Sequence, residues 1–336
     1  MRRSSRAGPP APRKAAHAGP RTGARAWAWT RLALAGLAVL AGMAAPAVAA
    51  SVSVVDDAGR ELRLERPPAR VVTLAPSLTE LVFAAGGGGR IVAVDASSDH
   101  PSAARSIPRI GDVARIDVER LLSLKPDLVV VWRHGNTNRE LEQLESAGIR
   151  LFRLEPQRLD DVVGAIERLG RVLGTEAIAA PAAAALRERL AALRRSHAGD
   201  APVRVFYQVW ASPLMTINDR QIVSEVIALC GGRNVFAGLA PLVPQVALES
   251  VLAADPEAIF TADERGHTAL LRRAVDTPAF AAWRRYPRLA AVRGSWLYVL
   301  NGDAISRQGP RIVDGAGAVC DALDEVRRER GGAAKR

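Results

Sequence analysis

The sequence predicts an α/β protein of two lobes, each built on a parallel sheet, joined by a single long α-helix. Three observations predict it. Strand-like and helix-like runs alternate from Val71 to Leu173 and again from Val203 onward; strands alternating with helices make parallel sheets covered on both faces. Between these regions, Thr175 to His197 is rich in Ala, Leu and Arg and carries no strand pattern. As a helix it would reach roughly 30 Å at 1.5 Å per residue. Finally, Val118 to Val130 can be laid over Leu248 to Phe260 at a constant offset, with Glu, Leu and Pro coinciding. Each copy reads as a short helix, a Pro turn and a strand, which suits two related lobes.

In chain order, Val52–Val55 and Glu61–Leu64 flank Asp57-Ala58-Gly59 and read as an opening hairpin. Val71 to Leu74 is a short buried strand. Ser77-Leu78-Thr79-Glu80 has capping-box spacing and predicts a helix ending near Gly86. Gly86 to Gly89 lacks a following Lys-Ser/Thr and comes after a helix, so it reads as a helix end and turn rather than a phosphate loop. Strands follow at 91–94, 128–132 and 149–154, with helices at 117–124, 138–146 and 159–173. Pro181 either kinks the long helix or marks its effective start. The second pattern places strands at 203–209, 259–260 and 297–300, and Gly309-Pro310 opens the last helix with Pro at its first position. The expected divisions are a signal segment at 1–49, a lobe at 50–173, a connecting helix at 174–198, a lobe at 199–330 and a disordered tail at 331–336.

Composition excludes several classes. The chain has 336 residues, 49% hydrophobic and 24% charged, which describes a globular protein and excludes a disordered or collagen-like one. The formal charge of +11 invites a nucleic-acid partner. Residues 1–49, however, hold eight of the 46 Lys and Arg and none of the 35 Asp and Glu, leaving 38 against 35 in the remainder. The basicity therefore belongs to the amino-terminal segment, and no nucleic-acid partner is expected. That segment has the order of an export signal: Arg2 to Arg31 basic, Leu32 to Ala45 apolar, then the small residues Ala47-Val48-Ala49. Export with cleavage near Ala49 would place the chain in an oxidising compartment, where Cys230 and Cys320 could pair.

Enzyme signatures are missing: no G-x-x-x-x-G-K-[ST], H-E-x-x-H, G-x-S-x-G or C-x-x-C occurs. No catalytic residue is assigned, and an enzyme is not expected. His100, His134, His197 and His267 form no ligand-spaced pair, so they read as scattered surface imidazoles and no metal site is assigned, although His100 and His134 could reach a cleft. Strand ends carry more information, because ligands of open α/β sheets bind beyond the carboxyl ends of strands. Trp132-Arg133-His134-Gly135-Asn136 closes one strand and Tyr207-Gln208-Val209-Trp210 another. One aromatic from each lobe suits a large planar ligand held between them; equally, each Trp could cover a core edge.

At this point the chain resembles periplasmic substrate-binding proteins of the helical-backbone class, and among them the cobalamin-binding components of cobalamin ABC importers. The residues that carry the resemblance are Ala75-Pro76-Ser77-Leu78-Thr79-Glu80, Ser98-Asp99-His100-Pro101, Leu124-Lys125-Pro126-Asp127-Leu128-Val129, Trp132-Arg133 with Gly135-Asn136, and Cys230-Gly231-Gly232-Arg233-Asn234-Val235-Phe236. It runs from about Arg70 to Ala322. The resemblance implies two Rossmann-like lobes with the ligand cleft between them and little hinge closure. It implies a monomer that captures cobalamin or a related corrinoid in the periplasm, with no cofactor of its own, and delivers it to an inner-membrane ABC permease. A siderophore–iron complex or haem is the alternative ligand within the class. Trp132 matches a cleft aromatic, with Arg133 beside it, and Asp303 and Arg307 match a polar pair reaching the corrin's amide arms. Read singly, Asp303 could instead bond its own loop and Arg307 could be solvated. Where relatives place cleft aromatics, this chain has Ser97, Val113, Met215 and Val243, and Tyr207 and Trp210 offer compensation from neighbouring positions. Family position also implies a Cys230–Cys320 disulfide. Glu119 and Glu249, equivalent in the internal repeat, would be docking handles for the permease, one on each lobe; helix-end stabilisation alone would also account for each.

Overall fold

The opening hairpin forms as the turn chemistry requires: β1 (Val52–Val55) pairs antiparallel with β2 (Glu61–Leu64), and Asp56 accepts from the amides of Ala58 and Arg60 in the turn. The structure, a computed structural model, describes residues 51–112, 115–263 and 269–333. The export segment, Val113, His267 and the last three residues lie outside these.

The first sheet is built from β3 (Val71–Thr73), β4 (Ile91–Val94), β5 (Leu128–Trp132) and β6 (Leu151–Leu154), in spatial order β4-β3-β5-β6 and parallel throughout. Its helices are α1 (Pro76–Ala84), α2 (Val118–Ser123), α3 (Asn138–Ser146) and α4 (Leu159–Leu173). The capping box expected at Ser77 to Glu80 is not formed. Pro76 occupies the first turn and Ala75 is the cap without a side-chain bond, so the helix starts earlier and Glu80 is freed for another task. Helix α4 stops at Gly174, whose φ of 62° is the left-handed conformation glycine tolerates best.

Helix α5 (Glu176–Ser196) is the 21-residue connector; it is continuous through Pro181 and begins five residues before it, so Pro181 does not mark its start. It packs antiparallel on α4: a Cβ on Gly170 would collide with that of Ala179, so glycine there permits the close approach. The second sheet contains β7 (Val203–Gln208), a small hairpin β8–β9 (Trp210–Ala211 and Leu214–Met215) beside it, β10 (Gly232–Asn234), β11 (Ala258–Ala262), β12 (Leu271–Arg273) and β13 (Leu297–Leu300). The order β10-β7-β11-β13-β12 is parallel except for β12, an antiparallel edge strand that the sequence pattern did not predict. Helices α6 (Ile222–Leu229), α7 (Leu248–Ala254), α8 (Ala290–Arg293), α9 (Gly302–Ser306) and α10 (Ile312–Ala333) complete this half. Helix α10 begins two residues beyond Pro310, after a turn closed by the Ile312 amide on the Gly309 carbonyl. It continues to Ala333, so residues 331–333, expected to be disordered, are helical.

Strand alternation divides the apolar residues into three layers. Val71, Leu128 and Val130 face one way with Val205, Tyr207, Phe260 and Tyr298, and these share a single core with α1, α4, α5, α6 and α10. Val72, Val129 and Val131 face the opposite side over α2 and α3, and Phe206, Ile259 and Val299 do the same in the second half. One core therefore runs through both halves, and the described residues form one compact unit. Period-2 patterning explains it: each central strand is apolar on both faces.

The internal repeat is exact at its turns. Lys125 and Asp255, equivalent positions ahead of the two prolines, both have positive φ, 47° and 42°. Asp127 accepts from the Arg70 amide and Arg70 Nε caps the Leu124 carbonyl; Glu257 accepts from the Arg204 amide and Arg204 Nε caps the Asp255 carbonyl. A similar arginine-and-backbone clasp fastens a helix end to a strand in each half, one position further along in the second.

Cys230 caps the carboxyl end of α6 and is bonded to Cys320 on α10. This joins two helices of the shared core and closes a loop 90 residues long.

Candidate functional site

The carboxyl ends of β7 and β11 and the start of α9 enclose a cavity of about 360 Å³, lined by Tyr207, Gln208, Val209, Val243, Asp303 and Arg307 among others. Tyr207 is buried in its wall, and burial, partly offset by a hydrogen bond with Ser306, pushes its hydroxyl up to about 12. It stays neutral and offers ring surface and a polar tip. Asn301 caps α9 through the Ala304 amide, which fixes Asp303 in the first helical turn facing the cavity.

Arg307 is not solvated, and Asp303 does more than close its own loop. Arg307 Nη2 lies 2.8 Å from Asp303 Oδ1, one helical turn back, while Nη1 lies 2.8 Å from Asp99 Oδ1 and 3.4 Å from Glu80 Oε1. Glu80 and Asp99 belong to the first lobe. The pair expected to touch ligand thus stands where the two lobes meet.

Glu80 was missed by local sequence reasoning. Its side chain is 2% exposed, and Arg311 grips it in a two-pronged bond, Nη2 to Oε1 at 2.6 Å and Nε to Oε2 at 3.0 Å. Burial alone would lower the Arg311 guanidinium; the Glu80 hydrogen bond and the Glu80, Asp303 and Asp99 charges outweigh it and hold it above its ordinary range. A planar fork on a carboxylate is the geometry arginine supplies and lysine does not. A second lobe crossing lies nearby: Glu225 on α6 accepts from the Leu159 amide at the start of α4, 2.9 Å away.

The Asp99 carboxyl is set from beneath. Thr73, Thr79 and Ser98 form a buried chain of hydroxyls, 2.6 and 2.8 Å apart, and Arg109 donates to the Ser98 carbonyl at 2.6 Å. Burial would raise Asp99, but the Arg307 hydrogen bond and charge prevail and hold it below the usual carboxylate range.

The other expected residues are distributed as follows. Trp210 and Met215 are direct cross-strand partners on the β8–β9 hairpin, which follows the cavity-lining Val209. Trp210 is 56% exposed, so it is not covering a core edge. Trp132 is half-buried at the end of β5, packed against the shared core, and its ring lies over Gly135, where any Cβ would collide with it. Trp132 and Arg133 do not line the cavity; Arg133 donates to the Asp57 carbonyl of the opening hairpin. Ser97 is exposed and its carbonyl lies 3.5 Å from Arg307. Glu119 and Glu249 are both exposed in the first turns of α2 and α7, and among the described residues neither pairs with a cation.

The histidines differ. His100 is exposed, and His134 contacts Glu155. His197 is not a scattered surface residue: its Nδ1 lies 2.9 Å from Asp200 and 3.7 Å from Asp324. Three such groups are a metal-like set, but Arg327 already pairs with both carboxylates, at 3.1 and 2.7 Å, and offsets part of their charge.

A profile of the periplasmic binding protein family matches residues 71–303. The vitamin B12-binding protein of Vibrio cholerae serotype O1 is 35% identical over 266 residues, 78% of this chain and 92% of its own length. That of Yersinia pestis is 35% identical over 257 residues, 76% of this chain and 87% of its own. Among solved structures, the periplasmic vitamin B12 binding protein BtuF of Vibrio cholerae superposes with a TM-score of 0.69 at 34% identity, covering 78% of this chain and 98% of that one. The periplasmic heme-binding protein RhuT from Roseiflexus sp. RS-1 superposes with a TM-score of 0.64 at 26% identity, covering 75% and 98%.

Proposed function

This chain belongs to the periplasmic binding protein family, and from that premise we propose that it captures cobalamin or a related corrinoid and hands it to an inner-membrane ABC permease. The observation that carries the reading is the Asp303–Arg307 pair, set in a cavity at the carboxyl ends of the second sheet and turned toward Ser97 and Asp99 of the first lobe. An amide-fringed macrocycle needs acceptors and donors at the mouth of such a cavity and apolar surface around it. In this reading Tyr207 supplies apolar surface in the cavity wall, Trp210 and Met215 add to it from the hairpin that follows Val209, and Trp132 and Arg133, which do not line the cavity, meet the part of a large ligand that reaches beyond it. The guanidiniums are matched by carboxylates, which supports a corrinoid over an anionic siderophore or haem.

In this reading residues 1–49 are the export signal, removed near Ala49, and the protein works in the periplasm as a monomer. Residues 50–173 and 199–330 are the two lobes, with 174–198 connecting them. It performs no chemistry on the ligand; its task is affinity and docking. Glu119 and Glu249 occupy equivalent, exposed positions in the repeat and present matched carboxylates to a permease of two-fold symmetry.

Reconstituted cobalamin uptake tests this. Proteoliposomes holding the cognate permease should accumulate cyanocobalamin only when this protein is added. The double change Glu119→Gln and Glu249→Gln should slow uptake while leaving ligand affinity intact, most visibly at low salt. Uptake indifferent to the added protein would reject the function; uptake unaltered in the double variant would return both residues to helix stabilisation.

A further inference from the structure

Arg307 is a cation of the cavity wall, and both of its terminal nitrogens are engaged. Asp303 holds one edge at 2.8 Å, and Asp99 holds the other at 2.8 Å, with Glu80 behind it at 3.4 Å. Arg311 is committed to Glu80. Among the described residues two guanidiniums therefore meet three carboxylates, and Asp263, which accepts from the Gly302 amide, also lines the cavity. Among the described residues, Arg109 donates to the Ser98 carbonyl and Arg105 Nε to that of Asp99, so both are engaged with backbone.

These acids differ in kind. Glu80 is 2% exposed and locked in a fork, a fixed tie between lobes. Asp99 is 50% exposed and makes a single bond to Arg307, which lines the cavity. The preceding residue, Ser98, is anchored by its hydroxyl in the buried Thr79–Thr73 chain, and Arg105 holds the Asp99 carbonyl, so the chain that carries the carboxylate is fixed on both sides.

We infer that Asp99 sets the charge preference of the cleft, occupying the open edge of Arg307 so that a neutral amide arm is accepted and a carboxylate arm is rejected. An incoming amide leaves the Asp99–Arg307 pair intact and finds its partners around it. An incoming carboxylate must either displace Asp99 or sit beside it, and like charges brought together at a desolvated site oppose binding. The chain thereby discriminates between ligands of one shape and different charge. This rests on the corrinoid reading above.

The probes are cyanocobalamin and its monocarboxylic acids, in which one propionamide arm is hydrolysed to a carboxylate with the shape unchanged. The unaltered protein should bind at least one of the acids about fivefold or more weakly than cyanocobalamin at neutral pH. Asp99→Asn, which keeps size and polarity while removing the charge, should bring that ratio within about twofold, whatever its effect on cyanocobalamin affinity itself. Asp99→Ser gives the same comparison should the asparagine itself bond Arg307. Ratios identical in the unaltered protein and both variants would overturn the role of Asp99 while leaving corrinoid binding standing. Failure of the unaltered protein to bind cyanocobalamin would overturn the corrinoid reading and this inference with it.

Discussion

Glu80 on α1 and Arg311 at the start of α10, 231 residues apart in sequence, form a two-pronged ion pair across the lobes, at 2.6 and 3.0 Å. With the core that runs through both sheets, it resists any rotation of one lobe against the other. Removing one partner strands the other's charge in a poorly hydrated place. Glu80→Ala should lower unfolding free energy by about 3 kcal/mol, the cost of breaking a buried pair. The double variant with Arg311→Met should recover part of that loss, since the two effects are coupled. Denaturant titration of the four proteins would show it; additive losses would mean the pair contributes nothing of its own.

The Asp95 carboxyl is buried at the end of β4, and its Oδ2 has no hydrogen-bond partner among the described residues. Burial raises it, the Ser97 amide offsets part of this, and the charge of Asp112 adds to it. A carboxyl raised in the fold contributes stability that is present below its unfolded value of about 3.9 and is lost as pH rises through its folded value. Asp95→Asn should therefore stabilise the protein at pH 7 by about 1 kcal/mol, the gain fading below about pH 4. Melting curves across this range would decide; destabilisation at pH 7 would show that the charge is used.

The Cys230–Cys320 bond closes a 90-residue loop. In the chain-entropy account it contributes about 4–5 kcal/mol. Cys230→Ser with Cys320→Ser should unfold at markedly lower denaturant, and alkylation without reductant should modify neither cysteine of the exported protein. Two modified thiols would refute the bridge.

Trp210 and Trp132 separate binding from stability. Trp210→Ala removes an exposed side chain and should leave stability within about 0.5 kcal/mol, while weakening corrinoid binding by about 1–3 kcal/mol. Trp132→Ala removes a half-buried ring packed on the core and should cost about 2 kcal/mol of stability, short of the roughly 3–5 kcal/mol of a fully buried aromatic. Unchanged affinity in the Trp210 variant would take the β8–β9 hairpin out of the site.

Much of this was legible in the sequence, and the reasons for the remainder are physical. Strands such as Leu128–Trp132 and Leu297–Leu300 are continuous apolar runs, and α4 carries a 3.6-residue stripe, so local pattern sufficed. The repeat located the turns at Pro126 and Pro256, but not the left-handed backbone of Lys125 and Asp255 ahead of them, which no side-chain pattern signals. Strands of two or three residues, such as Trp210–Ala211 and Leu271–Arg273, are too short to show a period. Glu80 misled because Ser-x-x-Glu is a valid capping pattern, and nothing local reports a guanidinium 231 residues away. Asp99 stood within a motif, but its charge partner comes from the other lobe.

Isothermal titration of the mature protein with cyanocobalamin tests the central claim most directly. The account predicts saturable binding of one corrinoid per chain, with haem giving no comparable heat under the same conditions. Absence of heat with cyanocobalamin, or tighter binding of haem, would contradict it.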